Sequence, residues 1–181
     1  SQLYGLSLMI NDIDPEFSLG IREMERQRTI ERLCKEGLMD MQKELSLPLL
    51  PHRLAVISAE DAAGYRDFIR HIGENPYGFR FDITLFPALM QGAECPKSVI
   101  AALDSVLEDE GGYDVVLILR GGGSKLDLAC FDDYEMAAVI AQFPLPVLTG
   151  IGHDKDTSVA DMVAHTPLKT PTAVAAWLVD R

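Results

Sequence analysis

From residue 53 onward the sequence predicts a doubly wound, Rossmann-like α/β domain on a mostly parallel sheet. Three observations carry that expectation. Strand-like and helix-like segments alternate four times between residue 53 and the end. The strand-like segments are apolar at both odd and even positions, as strands covered by helices on both faces must be. Unusual polar stretches, SAEDAAGYRD, RGGGS and GHDKD, follow three of those segments, where parallel sheets bind ligands, outside the carboxyl ends of the strands.

The elements follow in order. Residues 3–10, LYGLSLMI, alternate weakly and read as one strand, which NDIDPEFSLG ends with Pro15 and Gly20. A single strand is not stable by itself, so it reads as the last strand of a truncated preceding domain. In 21–36, Ile21, Met24, Ile30, Leu33 and Cys34 fall near helical spacing, with Gly37 as the stop. The prolines of LSLPLLP make an extended connector. RLAVIS (53–58) is a buried strand and 61–71 an amphipathic helix. FRFDITLFPA (79–88) is a strand, and 96–110 is a helix with Pro96 suited to its first turn. YDVVLILR (113–120) is the strongest strand of all. A helix over 126–143, a strand over 146–152 and a helix beginning near Thr172 complete the pattern.

The 181 residues are 48% hydrophobic, enough for one good core. No apolar run approaches the ~18 residues of a membrane span. The formal net charge of −12 argues against a surface that coats nucleic acid in general, while leaving room for a local basic site. Cys34, Cys95 and Cys130 show no paired spacing, which points to reduced thiols and a cytoplasmic protein.

Gly121, Gly122 and Gly123 follow the strongest strand directly. Without Cβ atoms they permit positive φ and let backbone amides approach an anion, and a helix start just downstream adds favourable partial charge. Arg120 offers a planar fork suited to phosphate oxygens, and Ser124 closes the loop. A tight turn with no ligand would need the same glycines. Two common nucleotide motifs fail here. The P-loop needs Lys right after its last glycine, but Ser124 intervenes before Lys125; the dinucleotide fingerprint needs Gly where Leu126 stands.

In GIGHDKD, His153 leaves a buried strand between glycine and acid. An imidazole there can give or take protons near neutral pH, and Asp156 or Asp154 could orient it. Asp67 lies on the helix that starts at the same rim; it could equally be an ordinary exposed helix acid. His52, His71 and His165 read as surface residues, and no metal-ligand spacing of His and Cys suggests zinc.

RLAVISAEDAAGYRDFI, LFPALMQG, DVVLILRGGGSKLDLACF, PVLTGIGHDKDTSVADMVA and KTPTAVAA resemble, in order, the motifs of the exonuclease VII large-subunit family. The resemblance covers 53–181. Its most specific parts are RGGGS-x-x-DL-x-x-F and GH-x-x-D-x-x-x-AD. Departures are Asp154 and Lys155 after the histidine, Ala129 in place of a tryptophan, and GENPYG in place of paired arginines.

The resemblance implies a single-strand DNA exonuclease that yields oligonucleotides, together with a much smaller partner subunit bound by a C-terminal coiled coil absent from this chain. Residues 1–20 would be the tail of an OB-fold domain, 21–52 a helical linker and 53–181 the catalytic domain. The catalytic set would be Asp67, Arg120, His153 and Asp156, with Gly121, Gly122, Gly123 and Ser124 binding phosphate and Asp127, Asp154 and Asp161 supporting them. The resemblance implies no strict metal requirement, while Asp67, Asp154 and Asp156 could hold Mg²⁺. Two rival readings use the same residues: an enzyme acting on a small nucleotide or sugar phosphate, and a DNA-binding module without catalysis.

Overall fold

The computed structural model describes residues 15–121, 125–152 and 157–181, with the side chains of 125–127 left aside. The expected strand over 3–10 lies outside the described residues. The first element among the described residues is a long helix, α1 (Pro15–Lys35). It begins six residues earlier than its apolar spacing suggests. Pro15 stands at the helix's first described position, where the amide it lacks needs no partner in a first turn. A short 3₁₀ turn, Gln42–Glu44, leads into the sheet.

Five strands form that sheet: β1 (Arg53–Ser58), β2 (Asp82–Pro87), β3 (Val115–Leu119), β4 (Val147–Gly150) and β5 (Thr166–Leu168). All neighbouring pairs are parallel and the spatial order is β2-β1-β3-β4-β5. The expected doubly wound sheet is therefore present. The helices between strands are α2 (Ala63–Gly73), α3 (Cys95–Glu108), α4 (Tyr134–Gln142) and α5 (Val159–Val163), with α6 (Pro171–Val179) after the last strand.

Side-chain alternation on each strand separates two cores. Ala55, Ile57, Val116 and Ile118 pack with Leu33 of α1, Val99 and Leu103 of α3, Met136 and Ile140 of α4 and Val163 of α5. Leu54, Val56, Leu117 and Leu119 pack with Phe68 and Ile72 of α2 and Val174 and Leu178 of α6. Each such aliphatic or aromatic side chain, fully buried, contributes roughly 1.5–3 kcal/mol.

The expected helix over 126–143 divides. A 3₁₀ segment occupies Lys125–Asp132 and α4 starts afresh. Asp133 makes the break: its carboxylate accepts the Met136 amide at 2.9 Å as the cap of α4. The sequence reading omitted α5 and β5, which have five and three residues, too short for either period to register. Pro167 sits in the edge strand β5, where a missing amide is tolerated. His165, expected at the surface, is half-buried; its ring nitrogens lie 2.8 Å from Thr166 Oγ1 and 3.0 Å from the Leu45 carbonyl oxygen.

Candidate active site

In this strand order the chain reverses its direction across the sheet between β1 and β3. From β1 it passes into α2 on one face; from β3 it passes into the 3₁₀ segment and α4 on the other. Sheets of this kind hold their ligands in the crevice that opens at that point. Its floor is tied by Ser58, whose buried Oγ donates to the Leu119 carbonyl at 2.7 Å.

Above that floor, backbone meets backbone. A Cβ added to Gly64, in the first turn of α2, would lie 2.6 Å from Gly121 Cα; one added to Gly121 would lie 2.5 Å from Gly64 Cα. Gly121 does not adopt a left-handed φ. Its lack of a side chain therefore serves close approach rather than unusual backbone geometry. Gly152, at the start of the histidine segment, does require it, with φ +82°. A Cβ there would be 3.6 Å from the Arg120 carbonyl oxygen and 3.4 Å from that of Lys169. The start of α6 joins the same place: Pro171 approaches Gly64, and Thr170 approaches Gly150. Thr170 caps α6, its Oγ1 accepting the Ala173 amide at 3.1 Å.

Arg120 continues the ladder, its amide donating to Gly150 O at 2.9 Å. Alternation from Val116 and Ile118 directs its side chain into the layer of α3 and α4. There it is 4% exposed, a buried cation. Its charge is felt by Cys95, buried in the first turn of α3. The Cys95 thiol is pushed well above its ordinary range, first by a hydrogen bond with Cys130 and then by burial; Arg120 pulls the other way. All three cysteines are free thiols.

Asp67 occupies the opposite layer. It lies one turn into α2 from Gly64, with a half-exposed side chain ion-paired to Arg70 at 3.3 Å. Asp161 is buried at 3% exposure and works structurally. Its carboxylate accepts from Thr149 Oγ1 at 2.6 Å and from Ser158 Oγ at 2.9 Å, and the Ser158 hydroxyl caps α5 in return. Gly122, Gly123, Ser124, His153, Asp154 and Asp156 lie outside the described residues, as does the side chain of Asp127.

The structure adds two residues that the sequence reading passed over. Asp132, ending the 3₁₀ segment, accepts the Val159 amide at 2.9 Å and faces Arg26 of α1 at 3.7 Å. Burial raises its pKa above the ordinary carboxylate range, opposed by that amide and by Arg26. Arg26 in turn donates to the Thr157 carbonyl at 2.6 Å. Nothing in the local pattern of α1 marks Arg26 among its neighbours, because Thr157 and Asp132 are more than a hundred residues away. The Ser158–Asp161 cap, by contrast, carried a readable Ser-x-x-acid signature.

Among the described residues, no helix is long and apolar enough to cross a membrane. The family model described as exonuclease VII, large subunit, matches residues 38–181. Curated relatives named exodeoxyribonuclease 7 large subunit include one from Acaryochloris marina, 36% identical over 86% of this chain and 37% of its own length. Another, from Nostoc sp., is 36% identical over 89% of this chain and 38% of its own. A third, from Deinococcus radiodurans, is 35% identical over 97% of this chain and 43% of its own. The chain thus spans well under half the length of these relatives.

Proposed function

The chain belongs to the exonuclease VII large-subunit family, and from that premise we propose that it hydrolyses phosphodiester bonds of single-stranded DNA to oligonucleotides. The observation that carries the reading is the start of the two motif segments side by side. Arg120 bonds to the strand that ends at Gly150, and Gly152 packs against the Arg120 backbone. Both segments leave the carboxyl edge, the first from β3 at the switch point and the second from its neighbour β4, on the edge where this class of sheet gathers its ligands.

In the proposed mechanism, water attacks the phosphorus and the bond from phosphorus to one sugar oxygen breaks. The amides of Gly121, Gly122 and Gly123, and Ser124, hold the phosphoryl oxygens, and the buried Arg120 guanidinium adds its positive charge from the α3 and α4 side as charge builds on them. His153 moves the proton, from the water or to the leaving oxygen, and Asp156 orients its ring. Asp67 places the water from the α2 side. Asp127, Asp154 and Asp161 support these groups, Asp161 by fixing the start of α5 to β4. The reading requires no cofactor; Mg²⁺ held by Asp67, Asp154 and Asp156 would assist by neutralising phosphate charge. A small partner subunit and cytoplasmic action belong to the same proposal.

The test uses the full-length large subunit assembled with its small subunit and labelled single-stranded DNA. His153→Ala is expected to abolish turnover while the melting temperature stays the same. Arg120→Lys is expected to lose rate as well, because an ammonium cannot reproduce the guanidinium fork. Normal turnover by the His153 variant would refute the assignment.

A further inference from the structure

Helix α1 buries only Leu33 of its 21 residues, yet Arg26 near its middle is 21% exposed and makes three directed contacts. Its Nη2 donates to Thr157 O at 2.6 Å, its Nε faces Asp132 Oδ1 at 3.7 Å, and its Nη1 donates to Glu23 Oε1 at 3.3 Å. The same Asp132 oxygen accepts the Val159 amide at 2.9 Å. One guanidinium and one carboxylate thus grip two backbone groups, at Thr157 and Val159.

Those groups lie just downstream of the segment with His153 and Asp156. Asp132 itself ends the 3₁₀ segment that follows the glycines. The brace therefore joins the downstream ends of both motif segments to a helix outside the sheet. From the other side, Thr149 and the Ser158–Asp161 cap fix the same point to β4.

We propose that Arg26 is a positioning residue for the hydrolysis: through Thr157 and Asp132 it sets where the chain leaves the His153–Asp156 segment, so that the seating of α1 governs the catalytic rate. This rests on the function proposed above. An ångström of misplacement at a reacting group can cost on the order of 100-fold in rate, and two hydrogen-bonded anchors are a means of preventing it.

The test compares wild type, Arg26→Ala, Arg26→Lys, Asp132→Asn and the control Arg32→Ala, all as the full-length subunit with its small partner, on labelled oligo-dT. Arg32 lies on the same helix and bonds Glu36 instead. Arg26→Ala is expected to lower kcat at least about tenfold with KM little changed, and Arg26→Lys to recover part of that loss. Amide exchange at Val159 should quicken in Arg26→Ala and Asp132→Asn, and the control should match wild type. A kcat for both Arg26 variants within about twofold of wild type overturns the inference. So does a raised KM at unchanged kcat with a salt slope smaller by about one, which marks an ordinary phosphate contact. If Arg26→Ala fails to fold, Arg26→Lys decides alone by the same criteria. A wild-type complex inactive on oligo-dT would instead refute the proposed function, and this inference with it.

Discussion

The two edges of the sheet are closed in opposite ways. At the amino edge, side chains reach in to satisfy the strand starts. The Asp114 carboxylate accepts the amides of His52 and Arg53, both at 2.8 Å. Buried Gln42 donates to the carbonyls of Phe143 and Leu145 and accepts the Val147 amide at 2.8 Å. At the carboxyl edge the tight contacts come from missing side chains, where Gly64 meets Gly121 and Gly150 meets Thr170. The first arrangement consumes backbone hydrogen-bonding groups with side chains. The second brings backbone from several segments together without inserting side chains between them, which suits a site for an anion.

The comparison can be broken most sharply at the glycines. Gly64→Ala would ordinarily stabilise a helix by about 0.5–1 kcal/mol. Here the new methyl meets Gly121 backbone at 2.6 Å, so a loss of about 3 kcal/mol is expected, read as a lowered urea midpoint. A stabilised variant would mean that the crevice opens freely. Gln42→Ala should cost about 2 kcal/mol by leaving buried groups without partners, yet turnover per folded molecule should stay the same. Lost turnover would mean that the amino edge also serves the site. Ser58→Ala removes the hydroxyl bridge to Leu119 across the crevice floor and should cost about 1 kcal/mol by denaturant titration.

The smallest effect concerns pH. Burial raises the Asp132 pKa, so the folded state holds its proton more tightly than the unfolded chain does. Its contribution is therefore present at low pH and lost as pH rises from the ordinary carboxylate pKa through the raised one. Asp132→Asn removes that titration. The stability of the variant relative to wild type should climb across the window just above the ordinary carboxylate pKa and stay level beyond it. A flat difference throughout would show that Arg26 and the Val159 amide fully offset the burial.

How much could be read in advance depended on the range of the interaction. The run YDVVLILR marks β3 because every position from Val115 to Leu119 is covered by one core or the other. Pro96 and the Thr170–Pro171 pair mark helix starts for reasons contained within one turn. The break before α4 was misread because Asp133 fits an acid within a helix as well as it fits a cap. The Ser158–Asp161 cap was legible in its Ser-x-x-Asp spacing.

The sequence by itself determined the parallel α/β layout and the carboxyl-edge position of both motif segments. Periodicity and local turn chemistry act between near neighbours and survive in a linear reading. Only the tertiary structure decided that Gly121 serves close packing against α2, that Arg120 is buried on the α3 and α4 side while Asp67 lies on the other, and that Arg26 reaches Thr157. Those facts depend on which elements the folded chain brings into contact, and residues 131 positions apart leave no shared pattern in the sequence.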